Sequence, residues 1–115
     1  MNLNNLSVLD NLKSRSISPE NFTGAKGQGG RATTGTGEDC ARDLGPGWKI
    51  SPSVKIQSGQ IFEIALIDGP GTIEQIWMTP TGNWRFSILR FYWDDQEYPA
   101  VECPFGDFFA CGLGK

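Results

Sequence analysis

The sequence runs to 115 residues with a formal net charge of −3, ten Lys and Arg against thirteen Asp and Glu. With 38% hydrophobic and 20% charged residues it is too apolar for a disordered chain and too polar for a membrane protein, and no run reaches the ~18 apolar residues of a membrane helix. Fifteen Gly and seven Pro exclude a helical bundle, the acidic balance gives no sign of a nucleic-acid partner, and the absence of His removes His-based triads, zinc sites and general bases.

Residues 2–13 carry Leu3, Leu6, Leu9 and Leu12 with polar residues between them. That spacing predicts a short amphipathic helix that covers the core. Met1-Asn2-Leu3 opens without the basic and apolar regions of a signal peptide, so the chain is expected to be cytoplasmic unless its true start lies upstream. Residues 14–47 hold Gly24, Gly27, Gly29, Gly30, Gly35, Gly37, Gly45 and Gly47 with almost no apolar periodicity. They predict a long loop or extended arm, which in a compact domain is usually functional or packed on something else. Arg31, Glu38, Asp39, Arg42 and Asp43 distinguish it from a Gly/Ser linker.

From Trp48 the character changes. Residues 48–56 predict a strand broken near Pro52, hence an edge or a bulge. Ser58-Gly59 predicts a turn. Residues 60–67 contain Ile61, Phe62, Ile64, Ala65, Leu66 and Ile67, apolar on both faces, and predict a central strand or one buried on both sides. Asp68-Gly69-Pro70-Gly71 is a turn, residues 72–78 and 86–93 are the next strands, Asp94-Asp95-Gln96-Glu97 turns the chain, and residues 98–103 form a fifth, short strand. Strand starts about 10–14 residues apart with hairpin-like turns are the pattern of an antiparallel sandwich. A jelly roll takes about eight strands, and five cannot cover both faces of residues 60–67 or close their edges. The expectation is therefore all-β: a partial antiparallel jelly-roll sandwich over residues 48–115, truncated at the C-terminus, preceded by an N-terminal helix (1–13) and a Gly-rich arm (14–47).

Several motifs occur in order: Gly35-Thr36-Gly37, Ala41-Arg42-Asp43-Leu44-Gly45, Gly47-Trp48-Lys49, Ile67-Asp68-Gly69-Pro70-Gly71, Ile76-Trp77-Met78-Thr79-Pro80-Thr81, Asn83-Trp84-Arg85-Phe86, and the run from Val101 through Pro104-Phe105-Gly106-Asp107 to Phe109. Together they resemble, over about residues 14–112, the N-terminal region of a bacterial family long catalogued as a domain of unknown function. That family is now grouped with glycoside hydrolases acting on fructofuranosides and arabinofuranosides. The resemblance implies a longer tandem jelly-roll enzyme, a homo-oligomer, and a retaining mechanism with two glutamates and no cofactor. No residue here matches the glutamates' motif, so no catalytic residue is assigned.

Sugar recognition needs an aromatic face for the ring's C–H surface and planar hydrogen-bonding groups for its hydroxyls. The loop from Thr79 to Arg85 offers both, in Thr81, Asn83, Trp84 and Arg85, at an end of the predicted sandwich. The alternative is that Trp84 folds back on the core and Arg85 pairs with a carboxylate. Trp77 is either core or the floor of a pocket, with core favoured. Asp107, followed by Phe108 and Phe109, either points into a site as an acceptor for sugar hydroxyls or caps a turn. These seven residues, Trp77, Thr81, Asn83, Trp84, Arg85, Asp107 and Phe108, are the candidate substrate contacts.

A glycosidase also needs a carboxylate pair, about 5–5.5 Å apart for retention. Adjacent carboxylates on a strand point to opposite faces, so Glu38/Asp39 and Asp94/Asp95 make poor pairs, and Asp94/Asp95 reads as turn chemistry. Glu102 is a candidate partner for Asp107, or forms a buried ion pair with Arg90 or Arg85. Gly27-Gln28-Gly29-Gly30-Arg31-Ala32 resembles G-x-G-x-x-A but follows no predicted strand and opens no predicted helix, so it fails as a dinucleotide cradle. Arg31 and Arg42 are instead expected to pair with Glu38, Asp39 or Asp43. Cys40, Cys103 and Cys111 have no zinc spacing and no activating His, and are expected to be reduced and inert. The chain thus reads as part of a furanoside-specific glycoside hydrolase, inactive alone, with a carbohydrate partner. A carbohydrate-binding module and an oligomer-assembly element are the alternatives.

Overall fold

The computed structural model describes residues 8–9, 11–40, 42–44 and 47–110. The chain divides into two compact units, Met1–Pro70 and Gly71–Lys115.

In the first unit the described residues form loops and turns, with one short 3-10 turn at Arg42–Leu44. Most of the predicted N-terminal helix lies outside the described residues; residues 8, 9 and 11–13 are irregular, and Leu9 and Leu12 face solvent. The described residues of the glycine-rich stretch form loops and turns, folded back on residues 50–53. Gly37 N–H donates to Ile50 O at 2.8 Å, Gly47 N–H donates to Gly30 O at 3.1 Å, and the Thr36 and Ser53 hydroxyls lie 2.8 Å apart. Gly35 permits this approach, since a Cβ there would lie 2.6 Å from Ser51 Cα. Ser51, buried at the centre of this knot, gives its N–H to Glu20 Oε1 at 2.7 Å.

The strands expected at 48–56 and 60–67 are absent. Residues 60–67 have no ladder partner, and Ile61 and Leu66 are 88% and 76% exposed rather than central. An apolar run states that a segment can be covered, but a strand needs a second edge, and no described segment supplies one. Phe62 alone gains cover, edge-on to Phe22 at 6.1 Å between ring centroids. The Ser58-Gly59 turn forms as expected, with Gln60 N–H on Gln57 O and Gly59 at φ 75°.

The second unit is built on an antiparallel hairpin of β1 (Ile88–Phe91) and β2 (Val101–Pro104). Both lie inside or overlap strands the sequence predicts; the strand expected at 72–78 does not form. Asp94 and Asp95 both take left-handed backbone, φ 49° and 59°, and Gln96 N–H closes the turn on Trp93 O. That is the turn chemistry read from the doublet, and its twist suits a hairpin. The register sets Arg90 opposite Glu102 and Leu89 opposite Cys103. Leu89 is the buried large apolar side chain among the described residues. A single α-helical turn, α1 (Phe105–Phe108), follows β2 directly and ends on Ala110 at φ 59°. Phe91, Phe108 and Phe109 pack in sequence, with centroids 5.3 and 5.1 Å apart. The structure is thus largely non-helical with a two-stranded antiparallel sheet.

Candidate functional site

The loop that precedes β1 closes as a 3-10 turn, Trp84–Phe86, in which Ser87 N–H donates to Trp84 O at 3.0 Å. Phe105 N–H then donates to Ser87 O at 2.9 Å, which ties the start of α1 to the start of β1. Those two links bring Trp84 and Arg85 beside Asp107, although more than twenty positions separate them in the chain.

Trp84, Arg85, Pro104, Gly106 and Asp107 line a hollow of about 100 Å³. Trp84 is half-buried, braced edge-on by Phe105 at 6.3 Å between centroids. The Arg85 guanidinium carbon lies 6.0 Å from the centre of the Trp84 ring, at the limit of cation–π attraction. Asp107 sits in the first turn of α1, and no side-chain bond caps that turn. Its side chain is exposed beside Trp84 and Arg85. Gly106 is buried and lines the hollow.

Three of the seven sequence candidates therefore meet: Trp84, Arg85 and Asp107. Asn83 flanks the turn without a capping bond, and Thr81 is exposed outside the hollow. Trp77 is 75% exposed, so it is neither core nor floor; its neighbours Ile76 and Met78 are the half-buried ones. Phe108 turns the other way, onto Phe91 and Phe109. Pro104, Phe105 and Gly106 belong to the site as lining and brace, which the Pro-Phe-Gly punctuation before Asp107 signals.

Glu102 does not join Asp107. Its Oε2 lies 2.6 Å from Arg90 Nε across the hairpin, and the pair is exposed rather than buried. The hydrogen bond to Glu102 and its charge hold the Arg90 guanidinium above its ordinary value. Asp107 is thus the single carboxylate at the hollow. In the first unit Glu38 takes the N–H of Gly35 at 3.0 Å. Cys40 and Cys103 are free thiols, whereas Cys111 lies outside the described residues. No group of three or more metal-ligating side chains gathers among the described residues.

A largely non-helical chain that gathers an indole, a guanidinium and a carboxylate around one hollow has the groups of a carbohydrate-handling protein. Residues 49–115 match the family model described as GH172 domain-like, and the chain belongs to that glycoside-hydrolase-related family. The family indicates carbohydrate, in general, as the partner class. No curated protein matches the chain.

Proposed function

We propose that the chain supplies sugar-binding surface to a retaining glycoside hydrolase acting on fructofuranosides or arabinofuranosides, with the glutamate pair supplied from outside it. The observation that carries this reading is the convergence of Trp84, Arg85 and Asp107 on one hollow within the matched region. Trp84 offers a ring face to the sugar's C–H surface, Arg85 donates to hydroxyl oxygens, and Asp107 accepts from hydroxyl groups. One carboxylate at the hollow suits binding rather than cleavage, which needs two. A homo-oligomer of the whole enzyme fits the apolar exposure of Ile61 and Leu66 in one unit and of Trp77 in the other.

The experiment is a pair of assays on the full chain. Calorimetry with methyl arabinofuranoside and methyl fructofuranoside should show weak binding of one of them. Trp84→Ala should weaken it about tenfold and Asp107→Asn several-fold. A 4-nitrophenyl arabinofuranoside should not be cleaved. Enzyme-like cleavage would overturn the split of binding from catalysis, and no binding of either furanoside would overturn the sugar surface itself.

A further inference from the structure

A second hollow, about 290 Å³, lies in the first unit, outside the family match. Arg15, Ser16, Ser18, Asn21 and Lys26 line it together with backbone at Gly27. Two of its lining residues are cations and none is a carboxylate, in a chain whose net charge is −3.

The loop around it is held by its own bonds. Ser18 and Asn21 exchange backbone hydrogen bonds of 3.2 and 2.8 Å, Gly24 N–H donates to Asn21 O at 3.2 Å, and Asn21 Nδ2 donates to Ala25 O at 2.9 Å. Gly24 is buried at φ 64°, and a Cβ there would come within 3.0 Å of Ile17 Cγ1, so the chain closes tightly. Arg15 Nη1 donates to Ser14 O at 2.8 Å. Lys26 makes no ion pair, and the N–H groups of Lys26, Gly27 and Gly29 meet no acceptor among the described residues. Glu20, the acid nearest in sequence, is engaged by Ser51 N–H.

We propose that this hollow is an oxyanion site, taking a phosphate or carboxylate group between Arg15 and Lys26. A guanidinium supplies a planar fork of donors and an ammonium a point charge, which together recognise such a group. The hydroxyls of Ser16 and Ser18 and the unengaged N–H groups add neutral donors. Because the loop is already knotted, binding costs little ordering. The site is not a dinucleotide cradle, since neither a strand before Gly27 nor a helix after it forms.

The test is an NMR titration of the full 115-residue chain with inorganic phosphate and, in parallel, with glucuronate, at constant ionic strength. Saturable shifts confined to residues 14–29 are expected, with a Kd of about 1–10 mM, and the tighter of the two anions names the source. Both cationic side chains are exposed, so Arg15→Ala with Lys26→Ala should leave amide dispersion intact and weaken binding at least tenfold. Arg15→Lys keeps the charge but loses the fork and should weaken it a few-fold. Saturation by neither anion, unchanged binding in the double variant, or equal saturation by neutral arabinose would each overturn the proposal.

Discussion

Ser51 N–H donates to the carboxylate of Glu20 at 2.7 Å, across 31 positions of chain. The second oxygen, Oε2, is enclosed without a hydrogen-bond partner. Glu20 therefore acts as a clamp between the turn at residues 18–21 and the segment on which the glycines close. Glu20→Ala leaves a buried N–H without its acceptor and should cost about 1–3 kcal/mol in urea unfolding. Glu20→Gln keeps the Oε1 acceptor and should recover most of that loss. An unchanged urea midpoint for Glu20→Ala would show that the clamp contributes nothing.

Two glycines of the same stretch separate crowding from backbone strain. At Gly35 a Cβ would meet Ser51 Cα at 2.6 Å and Ile50 O at 2.7 Å, both backbone atoms that cannot swing aside. Gly35→Ala should cost about 1–3 kcal/mol through overpacking. At Gly27 the space is open but φ is +74°, so Gly27→Ala should cost about 1–2 kcal/mol through the left-handed conformation alone. Deleting the neighbour's bulk tells them apart: Ser51→Gly should relieve part of the Gly35→Ala penalty, because Ser51 Cβ also lies 2.6 Å from the added atom, and none of the Gly27→Ala penalty. Equal rescue of both would refute the distinction.

What the sequence made legible was local. The Asp94-Asp95 and Ser58-Gly59 turns depend on a few adjacent residues and form where expected. The strands at 88–91 and 101–104 were legible because the turn between them pairs them within one short stretch. Residues 60–67 misled because an apolar run has no register of its own, and its ladder depends on an edge elsewhere. The glycine stretch lacks periodicity and reads as a long loop or extended arm, and what it packs on is set by Gly35 and Gly37, which admit the backbone at 50–53. At the candidate site, Trp84 and Arg85 stood out as an aromatic and a cation in a polar loop, and Asp107 as an acid between a Pro-Phe-Gly turn and two aromatics. Their meeting depends on the Phe105-to-Ser87 hydrogen bond, which no spacing reveals. Trp77 was misplaced because the strand expected at 72–78, which would have set the face it takes, does not form.

Leu89 is 6% exposed within β1. Leu89→Ala removes the buried large side chain among the described residues of that unit and should cost about 2–5 kcal/mol. Leu89→Met conserves volume and should cost under about 1.5 kcal/mol. Thermal melts of both variants check the pair, and a loss in Leu89→Ala no larger than in Leu89→Met would show that the hairpin holds without a core residue.

The Arg90–Glu102 contact predicts a dependence on salt and none on pH near neutrality. Glu102 holds the Arg90 guanidinium above its ordinary value, through the hydrogen bond first and charge second. A folded-state value raised above the unfolded one contributes stability that is fully present below the unfolded value and is lost only as pH rises through the folded value. For an arginine that window lies far into alkali, so titration of Arg90 leaves stability flat between about pH 6 and 9. The pair is exposed on both sides, and salt should screen it. Glu102→Gln should lower the melting temperature slightly at about 0.01 M salt, and the gap to the parent chain should close by about 1 M. The same variant should bind furanoside as the parent does, because Glu102 does not line the hollow. Loss of sugar binding in Glu102→Gln would return Glu102 to the site and break the assignment of Asp107 as its single carboxylate.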